Sequence, residues 1–529
     1  MAGGAISSSL PSPMAAAPPA EFAHKRSEQC FHIRLEAAQA ERSAPVPVLA
    51  TNGDESLYAN RIGNFSKGLP HNQIGEVDPA AYHSLLNAIY SGDPADFERI
   101  VMGGNTGLVN PQAGLAFDME GADSHQLAIG VPPAIASAQR AGEAVELYWM
   151  ALLRDVSFSQ YDTDSTAQAA CAELSRLTDF RGPKVNGKVT PKTLFRGFTP
   201  GDVAGPYVSQ FLLKPLEYGA IHIEQRLNTY LPLSNGGRDY MTDQASWLAV
   251  QNGAGPFGQN LIDPTPRYAR NGRDLAAYVH IDVLFEAYLN ACLWLLDQGA
   301  PLNPGNPYVN SRTQVGFGTF GAPHAKALVA EVATRALKAV WFQKWFVHRA
   351  LRPEEYGGLV HFTKTKAASY PLHSDILASD AAGMVFSRNG SYFLPHAFPE
   401  GCPQHPSYGQ GHGTVAGACA TMVKAFFDDR VPLSSITEIV QADAQGLSLI
   451  PYTDSDKDQL TVGSEMNKLA ANIAIGRNHA AVHWRSDYAD SLPLGEAIAI
   501  SVLTDQKATY SESFSGFTFT KFDGTRITI

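Results

Sequence analysis

Cysteine is scarce in this chain of 529 residues: five, odd in number, widely spaced and without a C-x-x-C pair. That excludes a zinc ribbon and argues against a disulfide-built scaffold. No run of apolar residues reaches the roughly 20 needed to span a bilayer. Positive charge is in deficit, with a formal net charge of −11, so the extended basic surface demanded by nucleic acid or an anionic membrane is missing. No tandem repeat is visible. Residues 1–20 are rich in Ala, Ser and Pro but lack the charged start and apolar run of a secretion signal. They read as a disordered tail on a soluble, cytoplasmic protein.

Against this background three segments stand out. In HPSYGQGHGTVAGA (His405 to Ala418), two histidines flank a Pro-Ser turn. Val415, Ala418, Met422 and Phe426 then recur at helical spacing, beside a small-residue stripe of Gly413, Ala416, Gly417 and Ala420. Gly411 and His412 therefore fall at the mouth of a helix, where free amides and the macrodipole favour an anion. In AVWFQKWFVHRALRPEEYGG (Ala339 to Gly358), Lys344 interrupts an apolar run and Arg352 follows eight residues on. Read as one helix stopped by Pro353, eight residues give about 12 Å of rise and two turns, so both cations leave the same side. In IGRNHAAVHWRSDYADS (Ile475 to Ser491), Arg477, His483 and Asp487 follow one another, and a carboxylate four residues beyond an imidazole can fix its tautomer.

The ordered set Lys–x7–Arg-Pro, Gly-His after a Pro-Ser turn, and Arg–x5–His–x3–Asp resembles the signature shared by vanadium-dependent haloperoxidases and type-2 acid phosphatases. Longer phrases, such as EVATRALKAVWFQKWFVHRALRP and NIAIGRNHAAVH, resemble the red-algal and cyanobacterial bromoperoxidase branch, and the likeness runs from about Tyr58 onward. It implies that His483 is the protein ligand of vanadium and that Lys344, Arg352, Arg477 and the Gly411 amide hold the vanadate oxygens. His412 is then the acid–base partner, His405 the second histidine near the halide, and Lys344 the residue that polarises bound peroxide. Gln410 stands where that branch usually carries a serine; its amide can still donate, from a longer side chain. The implied reaction is oxidation of bromide or iodide by hydrogen peroxide to hypohalous acid, which halogenates small organic acceptors. Two other readings use the same residues. One is a phosphomonoesterase in which His483 becomes a phosphohistidine and His412 protonates the leaving alcohol. The other is a non-catalytic assembly protein whose site Gln410 has retired. The branch also implies a large homo-oligomer, such as a dodecamer. Some relatives carry structural calcium, although no acidic loop of that ligand density is evident here.

The expected fold is all-α, two helical-bundle layers with a small C-terminal β-hairpin at FTFTKFDGTRITI. Its parts are an extension over 1–50, a loop-rich helical half over 51–260 supplying oligomer contacts, a half over 261–505 carrying all three motifs, and the hairpin over 506–529. Asp78-Pro79 and Asp93-Pro94 read as helix starts, and Asp164 to Leu177 as another helix. Asp274 opens one long buried helix through Gln298, on which Asp282, Glu286 and Asn290 form a structural polar stripe. A further scaffold helix is expected near Leu433 to Gln445. Trp341 reads as core packing and His348 as a plain helix position, and His479 is set aside. Arg485 is either an entrance charge or an exposed residue.

Overall fold

The computed structural model describes residues 19–256 and 258–529; the tail reading over 1–20 lies outside them except at Pro19 and Ala20, which instead open a helix. The architecture is helical, with three two-stranded antiparallel sheets among the described residues. The central element is the helix Gly411–Phe426, buried at nearly every position, as expected of a helix apolar all round. Around it pack the helices Ala322–Phe342, Val462–His479 and Arg485–Thr509. Its small-residue stripe sets the closeness of one crossing. A Cβ on Gly417 would lie 2.1 Å from the Leu492 carbonyl oxygen, and one on Gly495 would lie 1.9 Å from that of Thr414. The first turns of Arg485–Thr509 are thereby pressed against the loop that precedes the central helix. One continuous apolar core runs from Ile62 to Phe522, drawing residues from both halves of the chain.

Several boundaries follow the capping signals. The Asp78 and Asp93 carboxylates accept from Ala81 and Ala95 amides at the starts of Pro79–Ser91 and Pro94–Phe97, and Asp164 does the same for Ser165–Arg176. Thr518–Thr520 pairs with Arg526–Thr528 around Asp523-Gly524, giving the expected C-terminal hairpin. Further upstream, a helix over Pro19–Ser43 occupies the extension.

Three expectations need correction. The long helix after Asp274 is two helices, Gly272–Ile281 and Glu286–Asp297, bent by 99°, so Asp282 leaves the stripe and sits in the elbow. Asn271, not Asp274, is the cap, its side chain accepting from the Asp274 amide at 2.9 Å. Lys344 and Arg352 do not share a helix either. The chain widens into a π turn over Gln343–His348, closed by the Arg349 amide on the Lys344 carbonyl, and Arg349 is left-handed at φ 43. Arg352 then becomes the N-cap of Pro353–Lys364, and Pro353 starts that helix instead of ending one. Near Leu433 there is only a short 3₁₀ turn, followed by a strand pair, Val440–Ala442 with Leu449–Pro451.

Because Gly495 meets the Thr414 carbonyl so closely, Gly495→Ala should cost about 1–3 kcal/mol through overpacking. Chemical denaturation measures this, and an unchanged midpoint would show that the two helices can part freely.

Candidate active site: an anion cradle around His483

The three expected cations converge, and each is buried: Lys344 and Arg352 at 0 % exposure and Arg477 at 8 %. The π turn aims Lys344 inward, where its Nζ donates to the Pro406 and Ser407 carbonyls at 2.7 and 2.8 Å. Arg352 donates from Nε to the His405 carbonyl at 2.8 Å and from Nη1 to the Val482 carbonyl at 2.6 Å. Its Nη1 also lies 2.9 Å from His483 Nε2, and its Nη2 lies 2.9 Å from His405 Nδ1. Arg477 donates from Nη1 to the Val279 carbonyl at 2.7 Å, while its buried Nε has no partner. Among the described residues none of the three cations has a carboxylate within ion-pair distance. Some buried cations elsewhere do: Arg154 meets Asp239 and Arg485 meets Glu146, each at 2.5 Å.

This crowding shows in the ionisation equilibria. Burial first, then Arg352, pushes the Lys344 ammonium well below its usual range, with Asp487 opposing and Arg477 adding. Burial and the Arg352 charge bring Arg477 down to about 10. Burial followed by the same cations holds His483 and His405 well below 6.5, so both rings are neutral at neutral pH.

The tautomer of His483 follows from its neighbours. An arginine can only donate, so His483 Nε2 facing Arg352 must be the unprotonated nitrogen. The proton is therefore on Nδ1, donated to Asp487 Oδ2 at 2.7 Å. The same Asp487 oxygen accepts from Ser407 Oγ and from the Trp484 amide at 3.1 Å. An imidazole lone pair is thus fixed toward the cations, the form a metal centre requires. At the helix mouth, the Gly411, His412 and Gly413 amides have no protein acceptor among the described residues. A Cβ on Gly411 would lie 3.2 Å from Trp341, and the Trp341 ring also packs against His405, tilted by 38° with centroids 4.8 Å apart. Trp341 is therefore a wall of the site, the alternative to the core packing that the sequence favoured. Gln410 turns its side chain along the Val462–His479 helix, with Nε2 donating to the Ala474 carbonyl at 2.9 Å.

Asp282 is the residue that sequence reasoning missed. Its carboxylate meets His412 Nε2 at 3.1 Å. Burial alone would raise its pKa, but His412 and Arg477 hold it below the ordinary aspartate value. The regular i, i+4 spacing concealed it, since no Gly or Pro marks the elbow. Arg485 is neither exposed nor at an entrance but buried against Glu146. His479 packs among Phe158, Phe195 and Tyr207, and His348 stands edge-on to Tyr408. The His/Cys/Asp/Glu cluster at metal spacing among the described residues, Glu354, His396 and Cys402, already receives the Lys67 ammonium on Glu354.

A cradle of unpaired cations, free helix-mouth amides and an orphaned arginine Nε fits a tetrahedral oxyanion beside a fixed imidazole lone pair. Comparison with known proteins agrees. The vanadium-dependent bromoperoxidase of Corallina pilulifera is 38% identical over 97% of this chain and all of its own length. This chain belongs to the vanadium-dependent haloperoxidase family. The Corallina officinalis and Ascophyllum nodosum bromoperoxidases are 37% and 35% identical over 97% and 95% of the chain. A family model described as the VCPO second helical-bundle domain matches residues 327–512, which hold all three motifs of this haloperoxidase-family chain. The homohexameric second vanadate-dependent bromoperoxidase of Ascophyllum nodosum superposes with a TM-score of 0.89, covering 99% of this chain and 94% of its own at 32% identity.

The lowered Lys344 pKa sets a sign for anion binding. An incoming oxyanion stabilises the ammonium, so binding takes up a proton wherever Lys344 is partly neutral before the anion arrives. Affinity is then retained at low pH and falls as pH rises through the lysine pKa, by at most about tenfold per pH unit per proton, beyond the anion's own ionisation. Calorimetry of phosphate binding in two buffers of different ionisation enthalpy should report net proton uptake by the protein, and a net release would contradict it.

Proposed function

We propose that this chain holds vanadate on His483 Nε2 and uses it to oxidise bromide and iodide with hydrogen peroxide. The product is hypohalous acid, which halogenates small organic acceptors. The observation that carries the proposal is the set of three buried cations, without a carboxylate among the described residues, gathered around an imidazole whose lone pair faces them. When bound, vanadate supplies Lewis-acid activation of peroxide toward halide. The chain's own residues do the rest. Lys344, Arg352 and Arg477 neutralise the anion and draw charge toward themselves. Lys344 spends two of its three N–H groups on carbonyls, leaving one for an oxygen of the bound group. His412, backed by Asp282, is the proton carrier, and Asp487 keeps His483 in the ligating tautomer.

Full-length similarity to bromoperoxidases favours this reading over a phosphohistidine phosphatase built from the same residues. We also infer assembly with copies of itself, as the Ascophyllum homologue's homohexamer suggests. The exposed Phe22, Phe31 and Leu35 on the Pro19–Ser43 helix are suited to those contacts. Light scattering distinguishes a hexamer from a dodecamer.

His483→Ala should abolish vanadate-dependent bromination of a phenol dye at any vanadate concentration, and full retained turnover would remove the central assignment. Lys344→Ala should lower kcat by about 10²-fold, as for other losses of one charge-stabilising donor. Hydrolysis of p-nitrophenyl phosphate exceeding bromination in the wild type would favour the phosphatase instead.

A further inference from the structure

Arg477 differs from the other two cations in how it is held. Lys344 and Arg352 are each anchored by two carbonyls, whereas Arg477 has one, from Val279. Its second support is a ring: the guanidinium carbon lies 5.4 Å from the centre of Phe398. On Phe398 lies the His280 imidazole, stacked with centroids 3.8 Å apart and planes 8° from parallel. His280 is in turn fixed at both nitrogens. Nδ1 meets Tyr230 Oη and Nε2 meets Glu400 Oε1, each at 2.5 Å. Val279 and His280 belong to the last turn before the elbow, and Asp282, two residues on, holds His412. Neither His280 nor Phe398 belongs to the three sequence motifs.

We infer that His280 is a positioning residue for the oxyanion site: its ring braces Phe398, which gives Arg477 the flat face against which its guanidinium is set. The stack replaces the second carbonyl that the other cations have. Tyr230 and Glu400 fix the plane of the imidazole, so the bracing face cannot rotate away. A guanidinium resting on an aromatic face is pre-oriented, and less freedom is lost when it forks onto an oxyanion. This inference rests on the oxyanion reading above and adds a determinant of how tightly the anion is held.

The test compares wild type, His280→Ala, His280→Phe and Phe398→Leu, in the full chain, with inorganic phosphate and vanadate as probes. Dissociation constants come from calorimetry, kcat from bromination at saturating vanadate, and folding from thermal melts. His280→Ala and Phe398→Leu should weaken both anions by about tenfold, the scale of one desolvated cation–aromatic contact. Their kcat at saturating vanadate should fall far less. His280→Phe keeps the stack and should restore most of the affinity. Should His280→Ala fail to fold, the comparison of His280→Phe with Phe398→Leu carries the same distinction. Affinities within twofold of wild type in Phe398→Leu, or equal losses in His280→Phe and Phe398→Leu, would overturn the inference while leaving the functional reading intact. A wild type that binds neither anion would overturn both.

Discussion

Everything at this site depends on keeping three cations buried and close together without carboxylates to neutralise them. Unpaired buried charge is costly, and the protein offsets part of that cost with backbone carbonyls. Those of Pro406, Ser407, His405, Val482 and Val279 accept from Lys344, Arg352 and Arg477. Carbonyl dipoles solvate a cation without cancelling its net charge. The cradle therefore stays net positive and receptive to an anion, which a salt bridge would have quenched. Fixed donors of this kind need no reorganisation when charge develops on a bound group.

Four of these carbonyls come from loops and that of Val279 from the last turn of a helix, so the loops themselves must be held. The helix Arg485–Thr509 does this from its first turns. Asp487 accepts from Ser407 Oγ, Asp490 from Tyr408 Oη, and the Ser491 hydroxyl oxygen from the Gln410 amide. These side chains reach the His405–Gln410 loop only because Gly417 and Gly495 let that helix approach the central one closely. Packing of small residues in the core thus fixes polar geometry at the site. Asp487 joins the two functions, since the oxygen that anchors Ser407 also fixes the His483 proton.

Local and global electrostatics have opposite signs. The chain carries −11 overall, yet at the cradle burial, followed by the charges of neighbouring cations, holds two imidazoles neutral and depresses a lysine and an arginine. Burial makes this possible: low polarisability strengthens nearby charges while distant surface carboxylates are screened. A small anion entering the site responds to the cradle, not to the net charge.

The sequence by itself was enough for the helical class and the C-terminal hairpin, and it named Lys344, Arg352, His405, Gly411, His412, Arg477, His483 and Asp487 as the candidate set. Those residues lie in three short windows where charged or small residues break an apolar pattern, and such breaks are readable locally. Helical phase, however, did not bring Lys344 and Arg352 together; a π turn and a left-handed Arg349 did. No local signal marked the elbow after Ile281, so Asp282 read as part of a stripe, and Trp341 read as core. His280 and Phe398 were equally silent. Each of these acquires its role from a partner distant in sequence: Asp282 from His412, Trp341 from His405, Phe398 from Arg477. Residue type and spacing can declare which groups carry charge, but which backbone carbonyl or ring each one meets is decided by long-range packing, because those partners carry no distinguishing chemistry of their own.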